Sequence, residues 1–184
     1  KAMLHSKLLI LDGRLLVTLG LRRQTMDYQG FNVTTGASTS QYKASSTTPL
    51  AGVVFKPAKN TSIYANYTAG LSRGSKVSET ATPPYDNAGE TIPPFKSKQI
   101  EVGVKVDWGR ITTQAAIYQI KRPSAYATPS AVDPSMNHYS YDGEQRNRGL
   151  ELTAYGELQR GLRLMASTAF TSAKLTRTQG GVNQ

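Results

Sequence analysis

Between residues 100 and 107, Ile100, Val102, Val104 and Val106 alternate with Glu101, Gly103, Lys105 and Asp107. Period-two alternation marks a β-strand with one apolar and one polar face. The pattern recurs at 14–22, where Leu15, Val17, Leu19 and Leu21 alternate with Arg14, Leu16, Thr18, Gly20 and Arg22. At 149–155, Leu150, Leu152 and Ala154 alternate with Glu151, Thr153 and Tyr155. At 162–171, Leu162, Leu164, Ala166, Thr168 and Phe170 alternate with Arg163, Met165, Ser167, Ala169 and Thr171. Residues 61–69 and 111–120 alternate less cleanly, with Thr, Ala and Tyr on both sides.

Turn chemistry separates these segments. Asp12-Gly13 is a two-residue hairpin signal, and Pro57-Ala58-Lys59-Asn60, Trp108-Gly109 and Leu158-Gln159-Arg160-Gly161 follow it at intervals of about 46 to 50 residues. Between them lie stretches rich in Gly, Pro, Ser and Thr at 27–48, 72–94 and 123–138, which predict long loops. The chain thus alternates short turn and long loop around about eight strands. Several of these strands exceed the ~5–6 residues usual in soluble sheets; a tilted strand needs about 9–11 to cross a bilayer. In a dry sandwich Glu101, Lys105, Glu151 and Arg163 would each need a buried partner. A wet barrel interior removes that demand, and short turns at one end with long loops at the other are the plan of an outer-membrane barrel. A kelch-type propeller shares the repeat length, but its blade needs four short strands per period where two long ones occur.

Composition narrows the chemistry. The chain has 184 residues, a length that suits one domain. It has no cysteine, which excludes disulfides, thiolate metal sites and cysteine nucleophiles. Only His5 and His138 are present, neither in a triad signature, and both are expected to be solvated. No apolar run approaches a membrane helix, the longest being residues 8–11, and no signal peptide is expected at Lys1. The net charge is +10, from 22 Lys and Arg against 12 Asp and Glu. The cations are scattered along the chain and form no nucleic-acid motif, so nucleic acid is not an expected partner. An anionic ligand in a barrel lumen, or a phosphorylated surface outside it, accounts for the charge equally well.

Four stretches carry a family likeness: LDGRLLVTLGLR at 11–22, TPLAGVVFKP at 48–57 running into SIYANY at 62–67, KSKQIEVGVK at 96–105, and YDGEQRNRGLEL at 141–152. Together, in this order, they resemble the barrel of the TonB-dependent siderophore receptors of Gram-negative bacteria, over nearly the whole chain. The resemblance implies an all-β, antiparallel transmembrane barrel of about 22 strands closed by a plug, of which residues 1–184 are a partial barrel domain without plug or final strands. It further implies a transporter in the outer membrane, not an enzyme. Ferric siderophore is taken up, and the inner-membrane TonB complex acts through the plug. Outer-membrane lipid and lipopolysaccharide surround the wall. Iron arrives as a chelate, so no resident cofactor or metal site is expected. A passive porin, or a soluble β-rich propeller or sandwich, is the alternative.

Candidate contacts follow from position. Tyr85, Tyr126, Tyr139 and Tyr141 lie in or beside the long loops and, with Arg122 and Arg146, could line an external chelate pocket by flat apolar contact and hydrogen bonding. Trp108, Phe55 and Tyr155, near strand ends, fit an interfacial aromatic girdle. The segment Gly143, Glu144, Gln145, Arg146, Asn147, Arg148, Gly149 is the sharpest polar motif, and its expected role is structural. Alternation places Glu144, Arg146 and Arg148 on the face of Leu150. An Arg facing lipid at mid-bilayer costs ~2–4 kcal/mol. Either a bulge near Gly149 changes the phase, or the motif stands above the membrane rim. Asp86-Asn87-Ala88-Gly89-Glu90 lacks the calcium-loop pattern and reads as a turn.

Overall fold

The computed structural model describes residues 2–179, and side chains from residue 4. Eight strands lie in sequence order in one antiparallel sheet: β1 (Ala2–Ile10), β2 (Leu15–Phe31), β3 (Ser38–Ala58), β4 (Thr61–Ser72), β5 (Phe95–Asp107), β6 (Ile111–Pro129), β7 (Asn137–Gln159) and β8 (Leu162–Arg177). Each strand pairs with the next, and β1 and β8 are the two edges of an unclosed sheet. The predicted class, strand count and hairpin order all hold.

The tight turns fall where their residues predict. Leu11, Asp12 and Gly13 have φ of 53°, 52° and 81°, and the Arg14 N–H donates to the Leu11 carbonyl at 3.0 Å. The strands pair only up to Ile10 and Leu15, so the turn takes four residues where two were predicted. Positive φ at both central positions matches the right-handed twist of the flanking strands. Arg14 then ties this turn to its neighbour, donating from Nη2 to the Pro57 carbonyl at 2.6 Å. The Gly109 N–H donates to Asp107 Oδ1 at 2.8 Å, and Trp108 Nε1 to Thr113 Oγ1 at 2.9 Å.

Two of the three predicted long loops are mostly strand. β2 and β3 stay paired up to Phe31 and Ser38, leaving only residues 32–37 as a turn, in which Asn32 Oδ1 accepts from the N–H groups of Thr34 and Thr35. β6 and β7 likewise pair to Pro129 and Asn137, with a bulge beside Tyr126. The Thr- and Ser-rich sequence lacks alternation here because both faces of these strand ends are polar, and period two is then invisible. Only residues 73–94 form a long connection.

The ladder registers sort side chains onto two faces. Val102 pairs with Ala65 and Ile117, Ile117 with Leu150, and Leu150 with Phe170, which puts all of them on one face. This outer face is apolar and open, with Ile100 52% and Phe170 63% exposed. The inner face carries Tyr64, Glu101, Gln114, Tyr118 and Glu151. Tyr64 donates to Glu101 Oε1 and accepts from Gln114 Nε2, both at 2.8 Å. Trp108 and Phe55 sit on the outer side near the tight turns, as a girdle requires. Tyr155 does not: it pairs with Thr112 on the inner face, where Lys105 Nζ lies 5.6 Å from its ring. Proximity to a strand end does not decide a face; parity does.

Two inner tyrosines lie over glycines. A Cβ on Gly103 would stand 2.5 Å from the Tyr64 ring, and one on Gly149 2.5 Å from the Tyr118 ring, whose hydroxyl bonds Thr171 Oγ1 at 2.7 Å. Gly149→Ala should therefore displace Tyr118 and cost about 1–3 kcal/mol. Denaturant unfolding of the complete protein would show the loss, and an unchanged midpoint would mean that Tyr118 is free to move aside.

Candidate functional site at the inner rim

The end of the sheet opposite the tight turns is closed over by residues 73–94, the connection from β4 to β5. This segment folds back onto itself, with Lys76 bridged to Thr91 and the Ile92 N–H donating to the Ser75 carbonyl at 3.0 Å. On one side it packs against β2 and β3. The Arg73 guanidinium lies 5.3 Å from the Tyr28 ring, and the Gly74 N–H donates to the Tyr42 hydroxyl at 3.2 Å. Met26, Tyr42 and Thr48, all of inner-face parity, are buried, as is Val77 of the loop itself. The connection thus turns inward over the sheet.

Its other side is fastened to β7. The Asp86 N–H donates to the Asn137 carbonyl and the Asn137 N–H to the Pro84 carbonyl, both at 2.9 Å. Asn87 Nδ2 donates to the Tyr139 carbonyl at 2.9 Å, and its Oδ1 accepts from the Tyr139 N–H at 3.2 Å. Ser130 donates its hydroxyl to Asp86 Oδ2 at 2.5 Å, while His138 Nδ1 lies 2.8 Å from Asp86 Oδ1. His138 is exposed, as expected, and it also fastens the seam through Asp86. The segment 86–90 is the turn it was read to be.

Beside this seam the inner rim gathers an aromatic cluster. The Tyr85 and Tyr139 rings are 5.5 Å apart, Tyr139 and Tyr141 meet edge to face at 6.0 Å, and Tyr141 stacks on Phe95 at 4.9 Å. The Arg122 guanidinium stands 5.6 Å from the Phe95 ring, and the Tyr141 hydroxyl is 3.3 Å from Ser75 Oγ. Four of the six candidate contacts, Tyr85, Arg122, Tyr139 and Tyr141, are thus brought together. Phe95, which joins Arg122 to the tyrosines, was missed; it begins a strand after two prolines, and only its odd parity shared with Glu101 places it inward. Tyr126 stands apart, opposite Ser140 across the bulge. Arg146 is directed away, for it pairs with Lys121 and shares the outer parity of Leu150. Among the described residues no cluster of His, Asp and Glu could hold a metal ion.

The registers remove one of the two readings of the polar motif, the bulge. Register between β6 and β7 runs unbroken from Gly143 to Gly156, so no bulge near Gly149 changes the phase. Glu144, Arg146 and Arg148 are on the outer face. Arg148 lies about 11 residues above the end of β7, at the limit of the ~9–11 residues of a crossing strand. Gly143 is needed for close approach, since a Cβ there would lie 2.6 Å from the Ser124 carbonyl oxygen. Glu144 accepts from Thr176 Oγ1 at 2.9 Å, which joins the motif to β8.

The family model described as "TonB dependent receptor-like, beta-barrel" matches residues 7–183. The chain is 35% identical over 181 residues to the ferrichrome receptor FcuA of Yersinia enterocolitica, covering 98% of this chain and 23% of that protein. It is 30% identical over 173 residues to the probable TonB-dependent siderophore receptor PiuA of Acinetobacter baumannii, covering 88% and 22%. The crystal structure of BauA, the ferric preacinetobactin receptor of A. baumannii, superposes with a TM-score of 0.78 at 33% identity over 97% of this chain and 26% of that one. The alcaligin receptor FauA of Bordetella pertussis shares the fold, with a TM-score of 0.73 at 22% identity, over 94% and 29%. The chain spans about a quarter of the length of these relatives.

The Asp86 seam has a definite pH dependence. The Ser130 hydroxyl, and after it His138, hold the Asp86 carboxyl below its ordinary value of 3.8. A depressed carboxyl stabilises the seam fully above that ordinary value, and the contribution is lost as pH falls through the lower folded value. Protease resistance of residues 73–94 in the complete protein should therefore hold from neutral pH down to mild acid and fall only in strong acid. Asp86→Ala should lose it already at neutral pH. Gly74→Ala should do the same at any pH, because its Cβ would lie 1.9 Å from the Ile92 carbonyl oxygen, which is backbone.

Proposed function

Because the chain belongs to the TonB-dependent receptor β-barrel family, we propose that the complete protein takes up ferric siderophores through the outer membrane of a Gram-negative bacterium. Energy would come from the inner-membrane TonB complex, acting on a plug outside these 184 residues. The observation that carries the reading is the inward-facing group of Tyr85, Phe95, Tyr139, Tyr141 and Arg122 at the loop end of the wall. Flat aromatic faces bury the organic shell of a chelate, and a guanidinium complements its negative charge. FcuA is named a ferrichrome receptor and BauA a ferric preacinetobactin receptor, which supports a ferric chelate as the ligand class. Iron would pass as chelated cargo, with no resident cofactor and no catalytic step. Lipid would contact the outer face, with its Ile, Val, Leu and Phe side chains, and nucleic acid has no place in this reading.

Deleting the gene should abolish growth on one ferric chelate under iron limitation, and unchanged growth on every chelate tested would overturn the uptake reading. For the chelate so identified, Arg122→Gln in the complete receptor should raise the Kd roughly tenfold, the loss expected for one charge-assisted contact. Steady leakage of unrelated solutes of similar size would instead indicate a passive porin.

A further inference from the structure

The edge of β7 away from β6 changes partner along its length. Among the described residues β8 is bonded to β7 only up to Glu144, opposite Arg177. Beyond that point Asn137 and Tyr139 carry backbone N–H and C=O groups that need other partners. Asn137 finds both in the backbone of the 73–94 connection: its N–H donates to the Pro84 carbonyl, and its C=O accepts from the Asp86 N–H. Tyr139, two residues on, presents the same pair of groups. Here the connection is already turning away, with the Ala88 N–H donating to the Tyr85 carbonyl at 3.2 Å. The Asn87 side chain stands in for the missing backbone. Its Oδ1 accepts from the Tyr139 N–H at 3.2 Å, and its Nδ2 donates to the Tyr139 carbonyl at 2.9 Å. Nδ2 also donates to Glu90 Oε2 at 2.9 Å, so both of its hydrogens are used.

Only a carboxamide fits this place. One planar group must accept one N–H bond and donate two, which neither a carboxylate nor a hydroxyl can do, and Gln would carry the group one methylene too far. The contact also sits at the joint of the aromatic cluster. Tyr139 is the ring that meets both Tyr85 of the connection, at 5.5 Å, and Tyr141 of β7, at 6.0 Å, and Tyr141 in turn stacks on Phe95. Asn87 is two residues from Tyr85 and is bonded to the backbone of Tyr139, so one side chain sets the two halves of the cluster against each other. Asp86 holds the connection down through Ser130 and His138, neither of which belongs to the cluster. Fastening and positioning are thus divided between consecutive residues. We propose that Asn87 is the positioning residue of the chelate cluster, holding Tyr85 and Tyr139 in register before the chelate arrives. This rests on the uptake reading above and adds to it that recognition depends on a residue acting through Tyr139.

The test uses the complete receptor in detergent micelles and the chelate that the growth assay identifies. Asn87→Ala should raise the chelate Kd about tenfold, the loss expected when two side-chain hydrogen bonds go. Asn87→Asp should do the same, because it keeps an acceptor for the Tyr139 N–H but leaves the Tyr139 carbonyl without a donor. Protease resistance of residues 73–94, which Asp86 controls, should stay native in both variants; its loss would make Asn87 a second fastening residue and overturn the proposal. In a Tyr85→Ala background, Asn87→Ala should change the Kd less than twofold, since the ring it positions is gone. Independent, multiplying losses would overturn the proposal, because a merely structural role does not depend on Tyr85. A second readout needs no chelate. With 3-fluorotyrosine incorporated at Tyr139, the fluorine resonance of the native receptor should stand apart from that of free 3-fluorotyrosine and move towards it in Asn87→Ala. An unmoved resonance overturns the proposal. If no chelate binds at all, the uptake reading falls while the fluorine signal still decides the role of Asn87, so the two readings fail separately.

Discussion

Hydrocarbon offers no water to a peptide N–H or C=O, and each group left unpaired there costs several kcal/mol. A wall facing lipid must therefore satisfy every strand from both sides. The unbroken order β1 to β8, each strand bonded to its sequence neighbour, meets that demand for β2 through β7. The edges β1 and β8 each have one partner among the described residues. The rest of the structure follows from this pairing. Neighbouring strands must be antiparallel, connections must alternate between ends, and the pleat must divide the side chains between lipid and lumen.

That division explains how much of the fold was legible. Where one face is apolar and the other polar, as at Ile100 to Asp107 or Leu150 to Tyr155, alternation discloses both the strand and its orientation. It places Glu144, Arg146 and Arg148 on the face of Leu150, and the registers agree. Where the strands rise beyond the apolar zone, both faces are wet. Residues such as Thr39, Gln41 and Ser45 then look like loop although β2 and β3 stay paired around them. The same loss of contrast hid the upper parts of β6 and β7. Tight turns stayed legible because Asp12-Gly13 and Trp108-Gly109 answer to local geometry alone.

The candidate site was legible in its parts and not in its assembly. Tyr85, Tyr139, Tyr141 and Arg122 could be picked out by residue type near loops, but nothing local signals that Phe95 joins them. Nor does sequence spacing bring Asp86 to His138, 52 positions away. Those contacts depend on the path of residues 73–94, set by Gly74 under the Ile92 carbonyl and by Val77 packing against the sheet. Charge shows the same limit. Lys98, Lys121, Arg146 and Lys174 are scattered along the chain and pair in a single outer row once β5 to β8 are in register.

Register is thus the variable that joins structure to function in this wall. At the height of Lys121 and Arg122, consecutive residues of β6 serve opposite environments, one outward beside Lys98 and Arg146, the other inward over Phe95. A slip of one residue would exchange them, and would also drive Glu151 and Tyr118 into the apolar face while turning Leu150 and Ile117 into the polar interior. The apolar rows below therefore hold the charged rows above in place. Tyr64 over Gly103 and Tyr118 over Gly149 act in the same direction, because each ring fits only where its cross-strand partner lacks a Cβ. A glycine opposite a tyrosine, repeated in two hairpins, pins the phase on which both the inner cluster and the outer row depend.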